Sequence, residues 1–396
     1  MKIVVLASLA YSLTNFRGQL LAAMVKAGHE VVACAPEDSA EARAALAAIG
    51  VRYRPIAMQR ANSNPFVDAR TLWDYVRLLR EERPEAVLAY TQKPIVWGGI
   101  AARIVGGMRY HAMCSGLGYV FTDDGEASRS LKRRGLRSIV SRLYRMAVAK
   151  ADTVFVFNSD DGEEMRRLGI LAPGQRVIQV PGSGVDTARF QAVPVPKGPP
   201  VFLLIARLLR DKGLVEFAEA ARMVRAQWPE AQFRLLGPLD ANPSGVTLAE
   251  LAEWNASGGV EYLGETRDVA PYLAAASVFV LPSFYREGLP RTILEALATG
   301  RAIITTDAPG CREPIEVGGN GFLVPVRDAA ALAGAMAAFM RDPGLAARMG
   351  ARSREIAVAR FDANKVNALL LASMKLDRAN VVPLVQPVAR RVSARA

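Results

Sequence analysis

Glu287 and Glu295 stand eight residues apart in the run S-F-Y-R-E-G-L-P-R-T-I-L-E-A-L-A-T-G (Ser283–Gly300). The preceding V-F-V-L-P is short, continuous and β-branched, the pattern of a buried parallel strand. Pro290 suits the first helical turn, where its missing N–H is not needed. A helix starting there leaves the backbone N–H groups of Arg291, Thr292, Ile293 and Leu294 aimed at the carboxyl end of the strand, an anion site of the kind that takes a diphosphate. Glu295, placed in the first turn, would then reach ribose hydroxyls beside that diphosphate. Glu287, on the loop with Gly288 and Leu289, would reach hydroxyls of whatever the diphosphate carries. A nucleoside diphosphate sugar requires all three contacts. The helix dipole alone also favours an acid near a helix start, so the spacing needs support from elsewhere in the chain.

That support comes from A-R-L-L-R-D-K-G (Ala206–Gly213), which follows the apolar run V-F-L-L-I-A. Ligands of α/β sheets bind at the carboxyl ends of strands. Arg207 falls at such an end and Lys212 in the next loop, two cations able to neutralise a diphosphate as it departs. Leu236–Gly245 and Tyr262–Val269 are further strand-end loops, rich in ordinary turn residues. In the first half, Asn15 and Arg17 follow the first strand and Lys93 follows another; these are candidates for the acceptor side. Cys114–Phe121 contributes Ser115 and Gly116, whose glycine allows close approach to a ligand. His111 reads as a satisfied histidine within a strand, and His29 as part of a helix-to-strand turn.

Positioning these groups requires two sets of alternating strands and helices. Lys2–Ala7, Glu30–Ala35, Val51–Ile56, Ala86–Tyr90, Tyr110–Ser115 and Thr153–Phe157 predict one doubly wound parallel sheet. Val201–Ala206, Gln232–Leu236, Val260–Leu263, Val278–Pro282, Ala302–Thr306 and Gly321–Val324 predict a second. The expected organisation is an α/β N-terminal acceptor domain over 1–190, a proline-rich linker over 191–200 and a C-terminal donor domain over 201–362. A basic tail is expected over 377–396. The 396 residues, 51% hydrophobic and 22% charged, suffice for two such cores. Three scattered cysteines imply neither a disulfide framework nor a metal cluster and fit a reducing cytoplasm. The short apolar start reads as a first strand rather than a signal peptide, and no run is long enough to span a bilayer.

The net charge of +12 calls for a partner. Zinc-finger spacing, RNP motifs and aromatic-basic interleaving are all missing, which argues against nucleic acid. Between Ser128 and Ala151, Arg129, Lys132, Arg133, Arg134, Arg137, Arg142, Arg145 and Lys150 occur without an acid. Leu136, Ile139, Val140, Leu143 and Ala147 recur among them at helical spacing. Such a helix fits an anionic membrane surface, and equally the side of a sheet with a solvated basic face.

The string around Glu287 and Glu295 resembles the E-x7-E segment of the retaining glycosyltransferases of family four, which have the GT-B fold of two facing Rossmann-like domains. Arg207 and Lys212 match that family's diphosphate-binding pair. Arg60–Phe66, Phe157–Asp161, Gly182–Phe190 and Asn242–Gly245 are similar to hexosaminyltransferases that extend undecaprenyl-diphosphate-linked sugars. The resemblance implies catalytic roles for Arg207, Lys212 and Glu287, and donor contacts from Gly288, Leu289, Arg291, Thr292, Ile293 and Glu295. It adds Asn158 to the acceptor-side candidates and implies that the last helix (363–376) crosses back onto the N-terminal domain. Many relatives carry a donor-contacting His where this chain has Ser115. The implied partners are a nucleotide-sugar donor and a polyprenyl-diphosphate-linked sugar, with the enzyme peripheral on the cytoplasmic face of the membrane. No D-x-D occurs, so no metal or other cofactor is expected. Another nucleotide sugar with a soluble acceptor, or a nucleotide-sugar epimerase of the same fold, are the alternatives; epimerisation needs acid-base groups, and the chain has 2 His.

Overall fold

The computed structural model describes residues 1–59, 64–118, 121, 131–240, 242 and 244–377. Residues 60–63, Arg129 and the basic tail beyond Asp377 lie outside the described residues, as do the side chains of Lys132 and Arg133. The strands are β1 (Lys2–Leu6), β2 (Glu30–Ala35), β3 (Arg52–Pro55), β4 (Ala86–Tyr90), β5 (Arg109–Cys114), β6 (Thr153–Val156) and β7 (Val177–Gln179) in the first half. In the second half they are β8 (Val201–Ile205), β9 (Gln232–Leu236), β10 (Val260–Tyr262), β11 (Val278–Leu281), β12 (Ala302–Thr306) and β13 (Gly321–Val324).

Two parallel sheets result, ordered β3-β2-β1-β4-β5-β6-β7 and β10-β9-β8-β11-β12-β13. Central strands such as β4 and β12 are buried at every residue, because helices cover both faces and the sheet itself satisfies the backbone. Each sheet reverses its winding direction once, between β1 and β4 and between β8 and β11. At such a reversal the flanking loops run apart and leave a crevice beyond the strand ends. Strand β7 was not foreseen: it has three half-buried residues at a sheet edge, too few for a periodic signal.

Two crossings join the halves. Buried Arg301 donates to the carbonyls of Val193 (2.7 Å), Pro194 (3.3 Å) and Ala276 (3.1 Å), fastening the proline-rich stretch to the second domain. Further on, Val185 donates to the Phe361 carbonyl and Ala363 donates to that of Val185. The helix Ala363–Ser373 then packs Val366 and Leu370 with Leu20, Leu21 and Met24 in the first domain's core. Asp362 caps that helix, accepting from the Asn364 N–H at 2.9 Å.

Candidate active site

The loop from β8 ends in a 3-10 turn, Arg210–Lys212, closed by Gly213 at φ +77°. A Cβ on Gly213 would lie 2.1 Å from the Pro282 carbonyl oxygen, so only glycine lets this loop pack against the end of β11. That approach brings Lys212 to Glu287: the ammonium hydrogen-bonds Glu287 Oε1, and both side chains are largely buried. Ser283 Oγ also reaches Glu287 Oε1 at 3.4 Å, and the Asp211 carbonyl accepts from the N–H groups of Phe284 and Tyr285. Lys212 further lies 5.1 Å from the Tyr285 ring centroid. Arg207, half exposed, pairs with Asp240 at 2.9 Å. Two cations thus stand at the winding reversal of the second sheet, each held by a carboxylate.

The helix after β11 spans Arg291–Ala298, with Pro290 as its N-cap. This corrects the sequence reading in two respects. Pro290 precedes the first turn, and its carbonyl accepts from the Ile293 and Leu294 N–H groups, leaving those of Arg291 and Thr292 ahead of the helical ladder. Glu295, the fifth residue of the helix, sits in the second turn rather than the first, buried, accepting from Arg291 Nε at 2.8 Å. Burial raises its pKa and Arg291 opposes the rise. The other face of Arg291 reaches the first domain, donating to the Asn15 carbonyl at 2.5 Å and lying over the Phe16 ring.

Across the crevice, the loops after β1, β4 and β5 line a 380 Å³ cavity with Ser8, Thr91, Lys93, Ser115 and Gly116, facing Tyr285, Glu287 and Gly288. Thr91 holds φ +67°, rare for a β-branched residue, and donates to Ser8 Oγ at 2.9 Å. Lys93 is bound to Asp68 at 2.6 Å. Asn15 instead borders a separate 160 Å³ cavity with Arg189 and Arg291. Arg17, the other candidate after β1, lines neither cavity: it is buried, its guanidinium over the rings of Tyr90 (5.1 Å) and Phe157 (5.5 Å). Burial there lowers its pKa to about 10.

Asn158 does not open onto that cavity. Its Nδ2 donates to the carbonyls of Glu287 (3.2 Å) and Gly288 (2.8 Å), on the opposite domain. His111 is buried in β5 as expected, yet neither ring nitrogen has a hydrogen-bond partner, and desolvation lowers its pKa to about 4. The basic helix, Leu131–Val148, buries Tyr144, Ala147 and Val148 but exposes Leu136, Ile139 and Met146, so the expected apolar stripe is only partly covered. No helix among the described residues is long and apolar enough to cross a membrane.

Two Rossmann-like sheets whose strand ends meet at one cleft define the GT-B class of glycosyltransferase. Family models match both halves, a glycosyl transferase 4-like domain over residues 14–183 and glycosyl transferases group 1 over residues 199–342. The chain belongs to this family of glycosyltransferases. It is 28% identical, over 92% of its own length and 96% of the relative's, to the N,N'-diacetylbacillosaminyl-diphospho-undecaprenol alpha-1,3-N-acetylgalactosaminyltransferase of Campylobacter jejuni. Among solved structures it is similar to sucrose-phosphate synthase from Thermosynechococcus elongatus, with TM-score 0.77, 20% identity and coverage of 95% and 98% of the two chains. Anabaena HepE in complex with UDP gives TM-score 0.75 at 19% identity, covering 95% and 100%.

Proposed function

We propose that the chain transfers an N-acetylhexosamine, with retention, from a UDP-sugar to a polyprenyl-diphosphate-linked sugar. The observation that carries this reading is the ion pair of Lys212 with Glu287, a residue that lines the interdomain cavity and lies four residues ahead of the helix Arg291–Ala298. The lipid-linked acceptor of the Campylobacter relative and the UDP in the HepE complex support the substrate classes.

In the proposed reaction, the bond from the anomeric carbon to the diphosphate breaks through an oxocarbenium-like state. Negative charge grows on the departing UDP, and Arg207, Lys212 and the N–H groups of Arg291 and Thr292 are the groups proposed to stabilise it. Charge placed in advance of the reaction is usually the dominant catalytic contribution. Glu287 accepts hydroxyl hydrogen bonds from the sugar, while Lys212 holds its carboxylate in place. The acceptor hydroxyl attacks the face that the diphosphate leaves, and its proton passes to the leaving phosphate oxygen. The side-chain cations and helix amides supply the positive charge, and no metal or other cofactor enters the proposal.

The enzyme is proposed to sit peripherally on the cytoplasmic face of the membrane. Exposed Leu136, Ile139 and Met146 beside Arg134, Arg142 and Arg145 suit an anionic leaflet. The test incubates the full chain with labelled nucleotide sugars and polyprenyl-diphosphate N-acetylglucosamine in excess EDTA. Label should move from a UDP–N-acetylhexosamine to the lipid. Labelled product formed without acceptor would favour epimerisation, and complete loss of transfer restored by magnesium would overturn the metal-free mechanism.

A further inference from the structure

The loop carrying Glu287 is held from both domains. Its own domain supplies Lys212 and the Asp211 carbonyl. The other supplies Asn158, fully buried, whose Nδ2 donates to the Glu287 and Gly288 carbonyls and lies 3.1 Å from Asp161 Oδ2. Asp161, also fully buried, accepts from Arg286 Nε at 2.9 Å, and Arg286 Nη2 reaches the Asp160 carbonyl at 3.3 Å. Farther out, Arg312 pairs with Asp160 at 2.9 Å. The main chains also press together: a Cβ on Gly288 would lie 2.0 Å from the Ser115 carbonyl oxygen.

We propose that Asn158, Asp161 and Arg286 form an interdomain latch that fixes Glu287 against the donor sugar only when the domains close. This rests on the donor reading given above. All the groups assigned to UDP itself lie in the second domain, so UDP binding does not need the latch. Glu287 is different, because two consecutive carbonyls of its loop are tied to Asn158 and the preceding Arg286 is tied to Asp161. Separating the domains returns Asp161 and Arg286 to water, which offsets most of the energy lost with their contact. A buried pair of this kind adds little net stability, because the cost of desolvating both charges offsets their attraction. The three latch members are positioning residues: they place the loop that meets the sugar, and they tie that placement to arrival of the domain lining the other side of the cavity.

The test compares the full wild-type chain with Asn158→Ser, Asp161→Asn, Arg286→Gln, Arg286→Lys and the double change Asp161→Asn with Arg286→Gln. Serine keeps an N-cap acceptor for the helix Ser159–Arg167 but cannot reach the Glu287 loop. Transfer from UDP–N-acetylglucosamine or UDP–N-acetylgalactosamine to polyprenyl-diphosphate N-acetylglucosamine is measured beside UDP affinity by calorimetry. Misplacing a reacting group by about 1 Å costs on the order of 10²-fold in rate. Arg286→Gln and Asn158→Ser should therefore lose kcat on that scale with UDP affinity unchanged, and Arg286→Lys should recover part of it. Asp161→Asn combined with Arg286→Gln should lose no more than the worse single change, because both break one unit. Wild-type kcat in Arg286→Gln, equal losses of kcat and UDP affinity, or fully additive losses would overturn the latch. Arg286 lies on a loop, so its variants keep the test decisive if Asn158→Ser fails to fold. Failure of the wild-type chain to bind UDP would instead overturn the donor reading, and the latch with it.

Discussion

The two sheets reverse their winding at equivalent places, yet the loops beside the two reversals are chemically unlike. In the second domain the reversal between β8 and β11 carries fixed charge, with Lys212 against Glu287 and Arg207 against Asp240. In the first, the reversal between β1 and β4 carries the neutral Thr91–Ser8 hydrogen bond, with the nearby Lys93 bound to Asp68. On the proposed reading, the ion pairs of the second domain face the departing diphosphate and the hydroxyls of Ser8 and Thr91 face the acceptor. One architecture thus provides both an electrostatic wall and a hydrogen-bonding wall.

Removing the cation that meets Glu287 should break this contrast most severely. Lys212→Ala is expected to lower kcat by about 10²–10³-fold, the scale of losing one preorganised charge-stabilising donor. UDP affinity should fall much less, since the leaving group is more charged in the transition state than in the bound donor. Equal losses in kcat and in UDP affinity would reduce Lys212 to a binding group.

Acid should distinguish the domains by stability. Both histidines are in the first, and buried His111 has its pKa lowered to about 4. An unfolded histidine titrates near 6.5, so below that pH the unfolded chain binds the proton that the folded chain refuses. Stability falls as pH drops from about 6.5 towards 4, by about 3 kcal/mol in all. Hydrogen exchange at pH 7 and pH 5 should show β4, β5 and β6 losing protection before β8, β11 and β12. Equal loss across both sheets, or a loss unaffected by His111→Phe, would contradict this.

All strands but β7 were legible because burial selects short, largely apolar runs between turn residues, as in V-F-V-L (β11). The loops proposed to bind the donor could be picked out because their candidate groups are local, within a few residues of a strand end. What escaped the sequence was long-range or lay at the margins. N-S-D-D after β6 signals a capped helix with acids in its first turn, but nothing local shows that Asp161 meets an arginine 125 residues away. Likewise, a Pro before a helix fits either the N-cap or the first turn. Glu295 lies beyond the first turn for either choice, five residues into the helix as it forms, so its expected first-turn place was a miscount of the helix positions. Helical spacing placed Leu136 and Ile139 in one apolar stripe with Ala147 but could not say whether a sheet or a membrane covers it; the fold buries only the later part of that helix.

Two smaller effects sharpen the comparison further. Glu295→Ala should weaken UDP about tenfold, on the scale of a hydrogen bond lost between a charged group and a ribose, without altering acceptor KM. Unchanged UDP affinity by calorimetry would confine Glu295 to orienting Arg291. On the first domain, changing Arg134, Arg142 and Arg145 to Gln should weaken flotation with anionic liposomes by about 1 kcal/mol per residue. Arg137 is left in place because it pairs with Glu164 inside the fold. Binding should also weaken as salt shortens the screening length from about 10 Å at 0.1 M to about 3 Å at 1 M. Flotation indifferent to salt, lipid charge and the three substitutions would assign this helix a purely structural role.

The most direct measurement of the central claim is the anomeric configuration of the first product, read by proton NMR after transfer from an α-linked UDP–N-acetylhexosamine. Departure and attack on one face, with the diphosphate stabilised by Arg207, Lys212 and the helix amides and taking the acceptor's proton, gives an α-linked product. A β-linked product would mean attack from the opposite face, and would contradict the assignment of Lys212 and Glu287 to a retaining donor site.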